Sequence, residues 1–141
     1  MSSQEHNKQQ ARALFEHASR GELDAFDEHI GPDFVLHPDG WRGADGLAEM
    51  VRGYRSVLPD LGVRIDHQFA DGDYVATRFT VRGTHQGALM GEEPTGRTVE
   101  FGGITISRCA EGRILEEWEY VDAIGLLKQL GALTPAAGTP A

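Results

Sequence analysis

The strongest constraint on the fold of this chain is a change in its hydrophobic period at Pro59. Before that residue, apolar side chains recur every three or four positions, which is typical of amphipathic helices; after it they alternate with polar ones, which is typical of strands. Helices followed by antiparallel strands favour an α+β fold with helices over one face of a sheet. We therefore expect a curved antiparallel sheet with three N-terminal helices and a short C-terminal helix.

The segment before Pro59 divides into three predicted helices and one short strand. A first helix over 3–19 and a second over 23–30 form a helical hairpin, with glycines at both C-terminal ends. A short apolar strand over 34–36 leads into the loop 37–41, and a third amphipathic helix spans 44–58. These helices are expected to cover the sheet.

Four longer strands are predicted after Pro59, and their alternation predicts which side chains face inward. In the first two strands the inward set includes His67, Phe69 and His85. The glycine-rich segment 87–97 is read as a hairpin loop, because it lacks the spacing of a phosphate-binding loop. The pair Gly102-Gly103 predicts a bulge or bend in the next strand.

Composition limits the partners and the compartment. The 141 residues, 40% of them hydrophobic, suit one domain over 1–133, followed by a flexible tail over 134–141 that has no large apolar side chain. A formal net charge of −9 disfavours nucleic acid and membrane surfaces as partners. The single cysteine, Cys109, is expected to pack in the interior. With no signal peptide or membrane span visible, we expect a soluble cytoplasmic protein.

Two segments carry a resemblance to a known family. GTHQGALMGEEPTGR, over 83–97, and GRILEEWEYVDAIGLLKQLG, over 112–131, resemble the SnoaL-like polyketide cyclase (ester cyclase) family, which has the nuclear-transport-factor-2-like fold. The resemblance implies a cone of bent antiparallel sheet closed by helices at its wide end and paired through the sheet as a dimer or higher oligomer. It also implies aldol ring closure of a polyketide ester without a cofactor.

The same resemblance implies the candidate site residues. Glu119 aligns with the catalytic aspartate of the family's cyclases, and His85 matches the histidine of their G-x-H-x-G segment. Asp122 occupies a position that is also acidic in those cyclases. Gly103 and Thr105 depart from the family, since the cyclases carry glutamine and histidine there. This departure argues against a nogalonate-type substrate.

Aldol closure without a metal requires a base that removes a proton next to a carbonyl, and donors that hold the resulting enolate. Glu119 could be that base if burial raises its pKa. The candidate donors and orienting groups are His85, His37 and Asp122, although a helix cap alone accounts for Asp122. The candidate substrate-binding residues are Trp41, Tyr54, Met90, Thr105 and Trp118. No metal ligand set is predicted.

Simple alternation in the last strand leaves the position of Glu119 open. Ile114, Trp118 and Tyr120 share one face, which alternation alone would assign to the core, and Glu117 and Glu119 share the other. If a second subunit covers the outer face of the sheet, Trp118 belongs to that interface and Glu119 to a cavity.

Three functions therefore remain open at this point. The first is a cofactor-independent enzyme that performs enolate chemistry on an apolar, oxygenated, polyketide-like molecule. The second is a hydrolase or isomerase on the same fold, with a carboxylate pair such as Glu119 and Asp122 activating water. The third is a non-catalytic module for hydrophobic ligands or dimerisation.

Overall fold

The computed structural model of the chain describes residues 2–131, so the predicted tail over 134–141 lies outside the described residues. None of the helices in this part of the chain is long and apolar enough to cross a membrane. The helices are α1 (Ser3–Arg20), a 3-10 helix (Leu23–Glu28), α2 (Gly43–Val57) and α3 (Ala123–Gln129). The strands are β1 (Ile30–His37), β2 (Trp41–Arg42), β3 (Gly62–Asp71), β4 (Tyr74–Thr84), β5 (Thr98–Ala110) and β6 (Arg113–Val121).

The six strands form one sheet in the order β2-β1-β6-β5-β4-β3. All neighbouring strands are antiparallel except β1 and β6, which are parallel. The predicted α+β architecture of a curved sheet with helices is confirmed. Three details were wrong: the second helix is a 3-10 helix, Ile30 begins a strand rather than ending a helix, and the sheet expected to be antiparallel contains one parallel pair.

Local sequence signals explain the bounds of the first helix. The Ser2 hydroxyl accepts a hydrogen bond from the Glu5 backbone N–H at 3.1 Å, which caps the N-terminus of α1. Gly21 ends the helix with a φ of 73°, a left-handed conformation that glycine adopts without steric cost. The buried face of α1, with Ala11 and Leu14, joins the core on the inner face of the sheet.

Two β-bulges reset the alternation of side chains, and both were missed by simple parity. In β3 the register shifts between Ile65 and His67, so Asp66 is the extra residue. His67 is therefore exposed and Phe69 is 69% exposed, where alternation had placed both inside. In β6 the register shifts across Leu115, so that Ile114 and Glu117 both face inward although three positions separate them. Alternation beyond that point continues normally.

The predicted bend at Gly102-Gly103 is not a bulge, because β4 and β5 pair in unbroken register through both residues. Gly103 instead makes room for an aromatic ring. A Cβ at this position would lie 2.5 Å from Cζ of Phe79, so the ring packs directly on the glycine. The predicted hairpin loop between β4 and β5 is present, and it is fixed to α2 by hydrogen bonds from Gln86 and Gly87 to the Val57 carbonyl.

Candidate active site

A cavity of about 440 Å³ opens between the inner face of the sheet, α2, α3 and two loops. Its wall is mainly apolar, and side chains with polar groups are few. The residues with polar side-chain atoms in its lining are His37, Asp39, Trp41, Tyr54, Glu119 and Tyr120. A narrower recess of about 70 Å³ adjoins the cavity, and Tyr54 and Glu119 line both spaces.

Glu119 lines this cavity because the bulge at Leu115 turns alternate residues of β6 inward. The side chain is partly buried and lies opposite Thr105 of β5. Burial, together with the nearby negative charge of Asp39 at the cavity mouth, raises the pKa of Glu119 to about 7. The carboxyl group therefore holds or releases a proton near neutral pH, which is the property that general base catalysis requires.

Glu117 is the site residue that sequence reasoning missed. Its side chain is only 4% exposed and lines the inner recess, two residues before Glu119 on the same face of β6. The Ser107 hydroxyl donates a hydrogen bond to its Oε2 at 2.5 Å. Burial, with a smaller contribution from the charge of Glu119, raises the pKa of Glu117 to about 8, although the Ser107 hydrogen bond acts in the opposite direction. The shared parity with Glu119 was the signal that could have revealed it.

Tyr54 and Trp41 supply the other polar groups of the cavity wall. Tyr54 projects from α2 and stacks on Phe101 with 6.3 Å between ring centroids. Burial and the negative charge of Glu119 raise the pKa of Tyr54 to about 12, so its hydroxyl stays protonated and can donate a hydrogen bond. Trp41 borders the cavity, while its indole Nε1 is buried and has no hydrogen-bond partner within residues 2–131.

His85 and Thr105 lie inside the protein but outside the lining of the cavity. The Nδ1 of His85 accepts a hydrogen bond from the Thr95 backbone N–H at 3.1 Å, so a neutral ring carries its proton on Nε2. That Nε2 and the Thr105 hydroxyl are both buried, and neither has a partner in the described part of the chain. The inward position predicted for His85 is correct, but these two side chains do not reach the open space.

His37 and Trp118 lie on the outer face of the sheet. Leu36 points into the core, so its neighbour His37 points outward, and its Nε2 donates a hydrogen bond to Glu116 at 2.7 Å. The imidazole stacks on Trp118 with 5.4 Å between ring centroids. His37 still reaches the cavity mouth, because it is the last residue of β1, whereas Trp118 does not line the cavity. A substrate contact with Trp118 would require the other face of the sheet.

Asp122 and Met90 lie at the periphery. The Asp122 carboxylate is exposed and accepts a hydrogen bond from the Gly125 backbone N–H at 2.8 Å, which caps α3. It is not among the residues that line the cavity. Met90 borders the cavity mouth from the β4–β5 loop and is 75% exposed. The predicted site residues that meet in the cavity wall are thus Glu119, Tyr54, Trp41 and Met90, with His37 at the edge.

A mainly apolar cavity that contains weakly acidic carboxyl groups and a protonated phenol can move protons to and from a bound organic molecule. A curved sheet covered by helices over such a cavity defines the class of cone-shaped folds to which the nuclear-transport-factor-2-like proteins belong. Fold alone leaves the reaction undetermined, since this architecture serves several chemistries.

The chain belongs to the SnoaL-like polyketide cyclase family, whose sequence profile matches residues 8–130. It is 29% identical to the nogalonic acid methyl ester cyclase of Streptomyces nogalater, over 79% of this chain and 87% of that protein. The structure of AclR from Streptomyces galilaeus has a TM-score of 0.85 and 28% identity, covering 96% of this chain and 91% of that one. The structure of IdmH from Streptomyces antibioticus has a TM-score of 0.78 and 32% identity, covering 89% of this chain and 98% of that one. The protein is therefore an enzyme of the SnoaL-like cyclase type.

Proposed function

We propose that this enzyme closes a ring in a polyketide methyl ester by an intramolecular aldol reaction, without a cofactor, and that Glu119 is the catalytic base. The observation that carries the proposal is the position of the Glu119 carboxyl in a mainly apolar cavity, with its pKa raised to about 7. An ordinary glutamate is too weak a base for a carbon acid, and this environment makes it a stronger one.

The substrate class follows from the shape and chemistry of the cavity. Its volume of about 440 Å³ and its apolar wall suit a largely hydrophobic molecule with a few oxygen atoms. The name of the Streptomyces nogalater relative states that it cyclises nogalonic acid methyl ester, and related proteins are named for aklanonic acid methyl ester. We propose a polyketide ester of this general class as the substrate, and the departures at Gly103 and Thr105 favour one other than nogalonic acid methyl ester.

The reaction we propose starts with loss of a proton from carbon. The Glu119 carboxylate takes a proton from a carbon next to carbonyl groups, and the resulting enolate carbon attacks a second carbonyl carbon of the same molecule. Tyr54, whose pKa is raised to about 12, stays protonated and donates a hydrogen bond to an oxygen that gains negative charge. Trp41 and Met90 border the substrate at the mouth of the cavity.

Incubation with nogalonic acid methyl ester and with aklanonic acid methyl ester in ¹⁸O-labelled water tests the reaction. Ring closure gives a product of unchanged mass, with no more label than a sample without enzyme. Hydrolysis of the methyl ester instead consumes water and releases methanol, and it leaves the label in an acid product of lower mass. Mass spectrometry of the products distinguishes the two, and label incorporation above the background would contradict cyclisation.

Glu119→Gln tests the role of the base. We expect kcat to fall by roughly 10³-fold, because the amide cannot accept the proton, while the fold measured by circular dichroism is retained. Glu100→Gln is the matched control, since Glu100 is an exposed strand glutamate outside the cavity. Full activity of Glu119→Gln would refute the assignment.

We also propose a homodimer that forms through the outer face of the sheet. Ile104 and Tyr120 are directly paired across β5 and β6 and are 51% and 65% exposed. The next pair on the same face, Ile106 and Trp118, extends the apolar surface. Large exposed apolar side chains that adjoin in this way favour a protein interface.

A further inference from the structure

We infer that Glu117 is a second catalytic residue, the acid that protonates the new alkoxide when the ring closes. This inference rests on the proposed function, since it completes the reaction that Glu119 begins. It concerns a carboxyl group in the inner recess, deeper in the molecule than the base. The supporting observations are its position, its isolation from cations and its hydrogen bonding.

The position of Glu117 places both carboxyl groups at one substrate site. Residues two apart on a strand lie about 7 Å apart at Cα and point to the same face. Glu117 and Glu119 both line the recess that adjoins the main cavity. A molecule that fills the cavity and enters the recess therefore contacts one carboxyl group on the way in and the other at the inner end.

The surroundings of Glu117 contain no compensating positive charge within residues 2–131. The groups that face it are Glu119 on its own strand, Ser107 and Cys109 on β5, and apolar side chains of α1 such as Leu14 and Phe15. Tyr54 of α2 lines the same recess. An unpaired buried carboxylate is costly, so the neutral acid is the favoured form at neutral pH.

The hydrogen bonding of Glu117 leaves one oxygen available. Within residues 2–131 its only hydrogen-bond partner is Ser107, whose hydroxyl donates to Oε2. The second oxygen can therefore carry the proton and donate it to a substrate oxygen in the recess. A carboxyl group that served packing alone would need no free donor, and an apolar side chain would fill the same space at lower cost.

The two carboxyl groups together balance the reaction. Glu119 takes a proton from carbon, the new carbon–carbon bond forms, and the electron pair of the attacked carbonyl moves to its oxygen. The Glu117 O–H bond then breaks and its proton passes to that alkoxide, which leaves Glu117 ionised and Glu119 protonated. Transfer of one proton from Glu119 to Glu117, directly or through water, restores the starting state with no net change.

The difference in burial supports this division of roles. Burial raises the pKa of Glu119 to about 7 and that of the more deeply buried Glu117 to about 8, so Glu117 keeps its proton to the higher pH and is the better placed of the two to act as the acid. Activity is expected to rise as Glu119 loses its proton and to fall as Glu117 loses its own, which gives a bell-shaped profile of kcat/KM.

Glu117→Gln and Ser107→Ala, assayed with the two methyl esters named above, test the inference. For Glu117→Gln we expect kcat to fall about 10² to 10³-fold with little change in KM, and the decline of activity at alkaline pH to disappear. The Ser107 hydrogen bond lowers the pKa of Glu117, so its removal in Ser107→Ala should shift the alkaline decline to higher pH. A purely structural role for Glu117 would not produce that shift.

Infrared difference spectroscopy supplies a readout that needs no substrate. We expect the wild-type protein at pH 7 to show protonated carboxyl absorption from both Glu119 and Glu117, with a Glu117 band that is missing from Glu117→Gln and retained in Glu100→Gln. A Glu117→Gln protein with wild-type kcat and an unchanged alkaline decline would overturn the inference. So would the absence of that band, whether or not the enzyme cyclises either ester. Failure of Glu119→Gln to lose activity would instead contradict the proposed function.

Discussion

Strand β6 carries neighbouring glutamates whose environments differ in every respect that controls acidity. Glu116 lies on the outer face, where His37 and Arg108 donate hydrogen bonds to it at 2.7 and 3.0 Å and lower its pKa. Glu117 and Glu119 lie on the inner face, and burial raises the pKa of both. The outer face of β6 thus holds a stabilised anion and the inner face two weak acids, and the chemistry that we propose takes place on the inner face.

The difference teaches that residue type matters less here than which face of the sheet a side chain occupies. The outer face offers cationic partners and apolar side chains that suit an interface, whereas the inner carboxyl groups are shielded from water and have no cation near them within residues 2–131. The bulge at Leu115 decides which glutamates fall on which side.

The largest expected effect concerns the free energy of unfolding and its dependence on pH, which Glu117→Gln should change. A pKa of about 8 in the folded protein exceeds the ordinary value of 4.5, so the folded state binds the proton more tightly. The corresponding stability is fully present below about pH 4.5 and is lost as the pH rises through 8, by roughly 3 to 5 kcal/mol.

Urea unfolding at pH 5 and pH 9 measures this difference. The free energy of unfolding of the wild-type protein should fall between the two pH values by more than that of Glu117→Gln, so the variant should be the more stable protein at pH 9. Parallel pH dependence of the two proteins would show that Glu117 is not a weak acid and would break the comparison.

An intermediate effect is expected from Ile104→Glu on the outer face. The substitution places a charge in the proposed apolar interface, which should weaken dimerisation at least 100-fold, because charged groups are costly to bury without a partner. Analytical ultracentrifugation measures the dissociation constant. Arg52→Glu on the exposed face of α2 is the control. A dimer of unchanged affinity would place the interface elsewhere.

The smallest effect is expected from Glu116→Gln, the outer counterpart of the cavity variants. The pKa of Glu116 is lower in the folded protein than its ordinary value of 4.5. The stabilising contribution of its carboxylate is therefore fully present above pH 4.5 and is lost as the pH falls through the lowered pKa. The variant should therefore lose less stability on acidification, while kcat stays within about twofold of wild type. Acid unfolding and steady-state kinetics measure both quantities. A loss of kcat comparable to that of Glu119→Gln would contradict the division between faces.

The elements and the fold class could be predicted because their hydrophobic periods are regular. The alternation in β4 is unbroken, so the inward position predicted for His85 is correct. Bulges at Asp66 and Leu115 could not be read from the same pattern, since one inserted residue changes the face of every residue beyond it. The inward positions predicted for His67 and Phe69 were wrong for that reason.

The site was predictable only in part, because apolar and polar side chains exchange their usual places on β6. Trp118 and Tyr120 look like core residues, yet Tyr120 is 65% exposed and Trp118 stacks on His37 outside the cavity. Glu117 looks like a surface residue and is 4% exposed. Family resemblance pointed to Glu119, but no sequence pattern shows that a carboxyl group is deprived of water.

Carbon-13 NMR of the protein labelled at glutamate carboxyl groups tests the central claim most directly, because it reports each protonation equilibrium without a substrate. We predict two carboxyl signals that titrate near pH 7 and pH 8, the first absent from Glu119→Gln and the second from Glu117→Gln. Titration of every glutamate near its ordinary value of 4.5 would contradict the account, because neither inner carboxyl group would then be fit for its proposed role.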